Sequence, residues 1–313
     1  MGRLTLLGRT DRQTASTPFV YTPAPRLWRG LLRTARPKQW AKNVLVVAAP
    51  VAGGQIFDGG VLWRTALVFA LFCMAASGIY FLNDSLDVKA DRAHPEKCRR
   101  PIAAGIVPLK AAYAMGIGLS LLPVLLAALL LNKETATVLF VYTVVQILYC
   151  VHLKHVAVMD IAVVASGFLL RGIAGGVATS VAPSQWFLIT VGFGSLFVVA
   201  AKRSSELASL GEQAQHTRKL LSEYSESYLR FVWQGAAALM TLSYCLWALE
   251  SDDPDTAAWR MISIVPMTLA VLRYALVVDR GEGGAPEDVL LGDRVILSLG
   301  ALWGVAYGIS LVG

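Results

Sequence analysis

The chain has 313 residues, of which 56% are hydrophobic and only 16% charged. A soluble domain carries about 25% charged residues, so this composition excludes an ordinary soluble enzyme and predicts a protein embedded in lipid. The net charge of +7 requires no nucleic-acid partner, because membrane topology and an anionic substrate both account for it. The four cysteines lack the spacing of a zinc site or a redox pair.

The N-terminal residues divide into two segments. Residues 1–25 are polar and contain no apolar run, which predicts a disordered tail without a signal peptide. Residues 26–36 predict a short amphipathic helix on an anionic membrane surface. One side of that helix is apolar and the other basic: Trp28, Leu31, Leu32 and Ala35 against Arg29, Arg33 and Arg36.

Nine apolar stretches follow, each close to the roughly 17–25 residues that cross a bilayer as a helix. The alternating pattern of an outer-membrane barrel is absent. The sequence therefore predicts an all-α, polytopic protein with nine transmembrane helices filling residues 37–313 and no separate soluble domain. The predicted spans are 40–57, 61–82, 109–131, 135–152, 157–181, 184–201, 230–250, 260–278 and 293–312.

The basic residues predict the orientation of these spans. With the N-terminus in the cytoplasm, the outer loops contain only Arg64, Lys133 and Arg260 of the 28 lysines and arginines. Such an excess of positive charge on one side favours a cell-membrane protein with a cytoplasmic N-terminus. Arg171 is exceptional because it falls within a span.

An acidic motif ends the second span. Asp84, Asp87 and Asp91 stand at i, i+3 and i+7, within about 60° of one another on a helix. Like charges at this spacing repel, and a bridging cation would remove the repulsion. Carboxylate oxygens suit Mg²⁺, so these residues and the neighbouring Asn83 are candidate metal ligands. A solvated acidic helix end is the alternative.

Basic residues directly follow the acidic motif. Arg92 and Arg100 lie in the loop that precedes the third span. Guanidinium groups hold phosphate oxygens well, so carboxylates and arginines at one membrane face predict a site for a metal-bound diphosphate. Charge that only determines topology is the alternative.

Other charged or polar residues are predicted near the same face. Asp160 lies in the first turns of the fifth span, where a carboxylate needs a partner. Arg171 is eleven residues further on, so the two share roughly one face of the helix and either line a cavity or form an interhelical ion pair. The remaining candidates are Lys38, Lys42, Tyr149, Lys154, Lys202 and Arg203.

Together, the spans and motifs resemble the UbiA-type intramembrane prenyltransferase superfamily. The resemblance covers roughly residues 36–312 and depends on Asn83-Asp84-x-x-Asp87-x-x-x-Asp91, on Arg100-Pro101-Ile102-x-x-Gly105 and on the segment 149–160. It implies a nine-helix bundle around a lipid-accessible cavity, capped by cytoplasmic loops, and a Mg²⁺-dependent transfer from a diphosphate.

One departure narrows the resemblance. Members typically carry a second aspartate-rich motif after the sixth span, whereas residues 202–212 contain no aspartate and begin with Lys202-Arg203. With residues 36–43 and Lys154 to Asp160, this resembles the branch that transfers a phosphoribosyl group from 5-phosphoribosyl 1-diphosphate to decaprenyl phosphate for cell-wall arabinan synthesis.

The branch implies roles for the candidate residues. Asp84, Asp87, Asp91 and Asp160 would be the catalytic carboxylates, and Asn83 would join the metal ligands. The substrates would be held by Lys38, Lys42, Arg92, Arg100, Tyr149, Lys154, Arg171, Lys202 and Arg203. Direct displacement would invert the anomeric carbon. Prenyl transfer to an aromatic or quinoid acceptor and a non-enzymatic transporter or scaffold stay open, as do prenyl chain length and homo-oligomer formation.

Overall fold

A computed structural model of the chain describes residues 27–210, 219–250 and 254–312. These residues form helices and loops without a strand, so the all-helical prediction is confirmed. The tail predicted over residues 1–25 lies outside them. The α-helices are α1 Leu27–Ala35, α2 Ala48–Ala52, α3 Gly59–Leu86, α4 Val88–Ala93, α5 Leu109–Leu130, α6 Lys133–Val151, α7 Met159–Thr179, α8 Gln185–Leu210, α9 Glu226–Leu249, α10 Pro254–Asp279, α11 Pro286–Gly292 and α12 Arg294–Val312.

Eight helices in the described residues are long and apolar enough to cross a membrane: α3, α5, α6, α7, α8, α9, α10 and α12. The first predicted span, 40–57, is not one continuous α-helix. It comprises a 3₁₀ helix over Pro37–Val47, then the short α2. The count of nine spans is therefore not confirmed.

Pro50 gives a physical reason for this difference. Its ring nitrogen carries no hydrogen, so it cannot donate to the carbonyl of Val46 as an α-helix requires. A 3₁₀ helix rises about 2.0 Å per residue against 1.5 Å in an α-helix. Laid end to end, the 3₁₀ helix and α2 would extend roughly 30 Å, so this segment is long despite having few residues.

Two clusters of buried apolar side chains hold the bundle together by close van der Waals packing, as in membrane proteins generally. One lies between α3, α5, α6 and α7 and includes Phe72 and Leu139. The other lies between α7, α8, α9, α10 and α12 and includes Phe197, Trp233 and Tyr274. Helix α1 buries Gly30 and Thr34; its location on a membrane surface stays a prediction.

Successive long helices run in opposite directions, so the end of α3, the end of α6, the start of α7 and the end of α8 meet at one end of the bundle. We call this the charged end, because Asp84, Lys154, Asp160 and Arg203 gather there. Short connections between antiparallel helices favour this arrangement. Residues distant in the sequence thereby reach a common site.

Helix α7 fixes the 3₁₀ helix by direct backbone contact. A Cβ atom on Gly175 would overlap the carbonyl oxygen of Val46, so only glycine fits. We expect Gly175→Ala to lower the thermal unfolding temperature in detergent, at a cost of about 1–3 kcal/mol for overpacking. Gly304→Ala on α12 is the matched control because nothing lies within 4 Å of its added Cβ. Equal stability of the two variants would contradict this packing.

Candidate active site

The acidic motif lies at a break between two helices. Helix α3 ends at Leu86, Asp87 is its C-cap, and α4 begins at Val88. Asp84 and Asp91 are buried, with 2% and 3% of their surface exposed, whereas the side chain of Asp87 is 31% exposed. Two of the three predicted ligands therefore lie inside the fold and the third lies at its surface.

Arginines neutralise the two buried carboxylates. Nη1 of Arg100 lies 3.1 Å from Oδ1 of Asp84 and 2.9 Å from Oδ2 of Asp91. Nη2 of Arg36 lies 2.7 Å from the same Asp84 oxygen. Such charge-assisted bonds offset part of the cost of burying carboxylates.

Arg36 is a member of this group that sequence reasoning missed. The interpretation placed it on the basic side of an interfacial helix, but its φ of 52° turns the chain into the 3₁₀ helix and its guanidinium lies 4.5 Å from the centre of the Tyr80 ring. Pro37 was the available signal, since the residue before a proline is disfavoured in an α-helix.

The junction of α6 and α7 reaches the same end of α3. Nζ of Lys154 lies 2.6 and 2.8 Å from the two carboxylate oxygens of Asp87 and 3.5 Å from Oδ1 of Asn83. Lys154 is therefore positioned beside the acidic motif, although 67 residues separate it from Asp87.

Asp160 is the acceptor of a second buried network. Its carboxylate receives hydrogen bonds from Nε and Nη2 of Arg203, at 2.8 and 3.2 Å, and from the hydroxyl of Tyr149 at 2.8 Å. Arg203 also donates to Glu206 at 2.8 Å. The partner of Asp160 on α8 is thus Arg203, while Arg171 lies elsewhere.

Arg171 is a buried cation held by neutral groups. It donates to Oδ1 of Asn43 at 2.7 Å, to the Gly167 carbonyl at 2.6 Å and to the Tyr142 hydroxyl at 3.1 Å. The rings of Phe72, Tyr142 and Phe168 have their centres 5.0–5.6 Å from its guanidinium carbon. In the part of the chain that the structure describes, no carboxylate forms an ion pair with Arg171.

Lys42 and Lys202 add further positive charge. Both are half-buried, and within the described ranges neither forms an ion pair. Lys42 is repelled by Lys202, Arg171 and Arg36 and attracted by Glu287. The charged end therefore has two parts. In the balanced part, Asp84, Asp87 and Asp91 are paired with basic side chains. In the cationic part, around Lys42 and Lys202, positive charge is in excess.

Two other predicted residues lie outside these networks. Arg92 donates to the carbonyl of Ala103 at 3.1 Å and so fastens the loop that carries Arg100. Lys38 is exposed on the 3₁₀ helix.

The carboxylates of the acidic motif are the candidate metal ligands. The described residues contain no group of three or more His, Cys, Asp or Glu side chains arranged to hold a metal ion. However, Nη1 of Arg100 lies 3.1 Å from an oxygen of Asp84 and 2.9 Å from an oxygen of Asp91. The separation of these two oxygens therefore cannot exceed the sum of 3.1 and 2.9 Å. With the Asn83 amide beside Asp84, these residues present oxygen atoms of the type that divalent cations prefer.

The opposite end of the bundle contains an apolar cavity of about 370 Å³, within the usual size of a small-molecule pocket. The walls come from α2, from the α7–α8 connection and from α8, α9, α10 and α12. Aromatic side chains dominate one wall: Tyr244, Trp247, Trp303 and Tyr307.

This fold and its charged end define a class of membrane-embedded helical enzymes. The model of the UbiA prenyltransferase family matches residues 44–299, and the chain belongs to that family. With its eight apolar helices, it is a multi-pass membrane protein. The family resemblance expected from the sequence is confirmed.

Similar proteins identify a narrower group. The chain is 46% identical over 286 residues to the decaprenyl-phosphate phosphoribosyltransferase of Corynebacterium glutamicum, covering 90% of this chain and 86% of that protein. It is 45% identical over 300 residues to the protein of the same name from Mycobacterium tuberculosis, covering 95% and 99%. These relatives bear the name of the branch that the sequence resembles.

Solved structures show the same fold at lower identity. A UbiA homolog from Archaeoglobus fulgidus bound to GPP and Mg²⁺ has a TM-score of 0.69 and 15% identity, covering 90% of this chain and 99% of that chain. A digeranylgeranylglyceryl phosphate synthase structure has a TM-score of 0.64 and 16% identity, covering 92% and 98%.

The buried pair of Asp160 and Arg203 predicts a stability effect. We expect Arg203→Met to lower the free energy of unfolding by about 3–5 kcal/mol, because it leaves a buried carboxylate without its cation. Adding Asp160→Asn to Arg203→Met should recover part of that loss. The control is Arg230→Met, whose pair with Asp279 is 3.9 Å long and more than half exposed. Such a pair contributes about 0–1 kcal/mol. Chemical denaturation in detergent measures all three variants, and a loss in Arg203→Met no larger than in the control would reject this role.

Proposed function

We propose that this protein transfers a phosphoribosyl group from 5-phosphoribosyl 1-diphosphate to decaprenyl or another polyprenyl phosphate, releasing diphosphate, for the synthesis of cell-wall arabinan precursors. The active site would face the cytoplasm, as the basic loops predict. The observation that carries the proposal is the division of the charged end into a balanced part and a cationic part. The names of the close relatives support the same reaction.

The balanced part suits the donor. Asp84 and Asp91, with Asn83 and Asp87 beside them, would hold Mg²⁺, which neutralises charge on a leaving diphosphate. Arg100 and Arg36, which now contact these carboxylates, would bind phosphate oxygens of the donor, for which their planar geometry is suited. Lys154 lies at the edge of this group and would contact the donor as well.

The cationic part suits the acceptor. A phosphate monoester is already an anion near pH 7, so it needs positioning and charge neutralisation rather than a general base. Lys42 and Lys202 are half-buried and unpaired in the described structure, and would bind this phosphate. Arg171 adds positive charge behind them.

The second buried network is centred on Asp160. Tyr149 and Arg203 both donate hydrogen bonds to its carboxylate, and these three residues would orient the ribose of the donor. Direct attack by the acceptor oxygen on the anomeric carbon, with loss of diphosphate from the opposite face, would give a β-linked product. The cation excess stabilises charge on both reacting phosphates.

The lipid part of the acceptor explains the location in a membrane. Moving a hydrocarbon chain into water costs about 0.8 kcal/mol per CH₂ group, so the enzyme must meet its acceptor within the bilayer. The apolar cavity at the far end of the bundle would receive distant isoprene units. Helix α7 separates the two ends by 21 residues, or roughly 30 Å, which only a long prenyl chain spans.

A donor test decides the reaction class. With Mg²⁺ and decaprenyl phosphate in detergent, we expect radiolabel from 5-phosphoribosyl 1-diphosphate to enter the organic phase. EDTA should abolish this transfer, and Asp84→Asn should reduce it at least about 100-fold through loss of electrostatic stabilisation. The control Asp279→Asn changes an exposed carboxylate and should keep full activity.

The same assay can also contradict the proposed reaction. Label that stays in the aqueous phase, together with transfer from a labelled prenyl diphosphate to an aromatic acceptor, would refute phosphoribosyl transfer and favour the activity after which the family is named.

Substitution of Lys202 and of Lys154 should each change the KM for a different substrate. We expect Lys202→Met to raise the KM for polyprenyl phosphate and Lys154→Met to raise the KM for the donor, each leaving the other KM nearly unchanged. A lost hydrogen bond to a charged group costs about 1.5–3 kcal/mol, or roughly 10- to 100-fold. Initial rates at varied concentrations of each substrate provide the measurement. Equal effects of both variants on both KM values would contradict two separate phosphate positions.

A further inference from the structure

The 3₁₀ helix that carries Lys42 is longer than such helices usually are. It extends over 11 residues, whereas runs beyond three or four residues are uncommon. Side chains three residues apart in a 3₁₀ helix lie directly above one another, so Trp40, Asn43 and Val46 share one face and Lys42 lies on the next. A conformation this uncommon needs contacts that hold it in place.

The face formed by Trp40, Asn43 and Val46 provides these contacts. Nε1 of Trp40 donates to the hydroxyl of Ser77 on α3 at 3.1 Å, and Nδ2 of Asn43 donates to the sulfur of Cys73 on the same helix at 3.2 Å. The carbonyl of Val46 lies against the backbone of α7. Asn43, at the centre of this face, is completely buried, with 0% of its surface exposed.

Asn43 also bonds to the buried cation of α7. Its Oδ1 accepts a hydrogen bond from Nε of Arg171 at 2.7 Å. A guanidinium can only donate, so the amide oxygen faces Arg171 and the amide nitrogen faces Cys73. Lys42 precedes Asn43 in the chain, and consecutive Cα atoms are about 3.8 Å apart. The charges of Lys42 and Arg171 are therefore separated by the lengths of a few side chains, a distance on the order of 10 Å.

The chemical type of residue 43 matters because of this contact. A carboxylate at the same position would accept the same hydrogen bond from Arg171, and it would also neutralise a buried charge that is costly without a partner. Asn43 accepts the bond but carries no charge, so the positive charge of Arg171 is kept. An amide at this position therefore needs an explanation beyond holding two helices together.

We propose that Asn43 is a positioning residue for the phosphate group of the acceptor lipid. It holds the 3₁₀ helix so that Lys42 can bind this phosphate, and its neutral amide leaves the charge of Arg171 to attract the same group. The identity of the acceptor rests on the proposed function. Asn43 touches no substrate itself, because it is completely buried.

The variant Asn43→Asp keeps the bond to Arg171 but cancels its charge. We expect the KM for polyprenyl phosphate to rise about 10-fold, because one charge at that range changes the binding of an anion by about this factor. The KM for 5-phosphoribosyl 1-diphosphate should change much less, since the donor has its own cations. The unfolding temperature without ligand should not fall, because the buried guanidinium gains a carboxylate.

Asn132→Asp is the matched control. It makes the same change from amide to carboxylate at the opposite end of the bundle, where Asn132 caps α6 and donates to the carbonyl of Val177 at 3.0 Å. An aspartate is an equally good cap. Both KM values of this variant should equal those of the wild type.

Binding measured without the donor keeps the test independent of the reaction. Farnesyl phosphate should raise the unfolding temperature of the wild type more than that of Asn43→Asp, whereas farnesol, which lacks the phosphate, should act equally on both. This result supports the role of Asn43 even if the wild type transfers no phosphoribosyl group, in which case only the proposed reaction is rejected.

Arg171→Gln provides a second variant in case Asn43→Asp does not fold. It removes the same charge from the other partner of the bond, and a glutamine amide can still donate to Asn43. We expect the acceptor KM to rise and the stabilisation by farnesyl phosphate to fall, each about as much as in Asn43→Asp.

The role of Asn43 would be rejected by a wild-type acceptor KM in Asn43→Asp or, if that variant does not fold, in Arg171→Gln. Equal increases in both KM values together with a lower unfolding temperature would show that Asn43 only supports the fold. Equal stabilisation of the wild type and the variant by farnesyl phosphate, including no stabilisation of either, would also contradict the proposal.

Discussion

Burying two carboxylates at the boundary of an apolar bundle is costly unless cations contact them. Asp84 and Asp91 meet this condition through Arg100, which contacts both, and through Arg36. Each arginine arrives from a different segment: Arg36 from the turn before the 3₁₀ helix and Arg100 from the loop after α4. The paths of both segments therefore depend on neutralising the end of α3, and so does the closure of the bundle at its charged end.

The same requirement explains why charges are grouped rather than scattered. Asp87 pairs with Lys154, and Asp160 of α7 pairs with Arg203 of α8. Together with Asp84 and Asp91, four carboxylates are therefore held by basic partners from other segments. Buried pairs of this kind add little net stability but are costly to break. They specify which helix ends meet, and Arg100 links two of the carboxylates because one of its nitrogens contacts both Asp84 and Asp91.

The sequence was informative where a property is local to one stretch of chain. The eight long apolar helices could be read directly, because span length is such a property. The spacing of Asp84, Asp87 and Asp91 identified an acidic motif, but the single helix expected for it is interrupted, because α3 ends at Leu86 and α4 begins at Val88. Partner choice between helices could not be read in this way. Spacing placed Arg171 near the face of Asp160, yet the partner of Asp160 comes from α8, 43 residues further on.

The first span shows a second limit of sequence reasoning. Its hydropathy resembles that of an ordinary transmembrane helix, but the chain there forms a 3₁₀ helix followed by a short α-helix, and Pro50 removes one α-helical hydrogen bond. Hydropathy measures the preference of side chains for lipid and contains no information on backbone hydrogen bonding.

Arg171 has a consequence that extends beyond its own contacts. Its charge is surrounded by rings and amides rather than by a carboxylate, so its field is not cancelled locally. At an effective dielectric constant of about 20, a unit charge attracts an anion at about 10 Å by roughly 1.7 kcal/mol, or more than tenfold in occupancy. An anionic group within that distance is thus favoured over a neutral one by electrostatics alone, without any direct contact to Arg171.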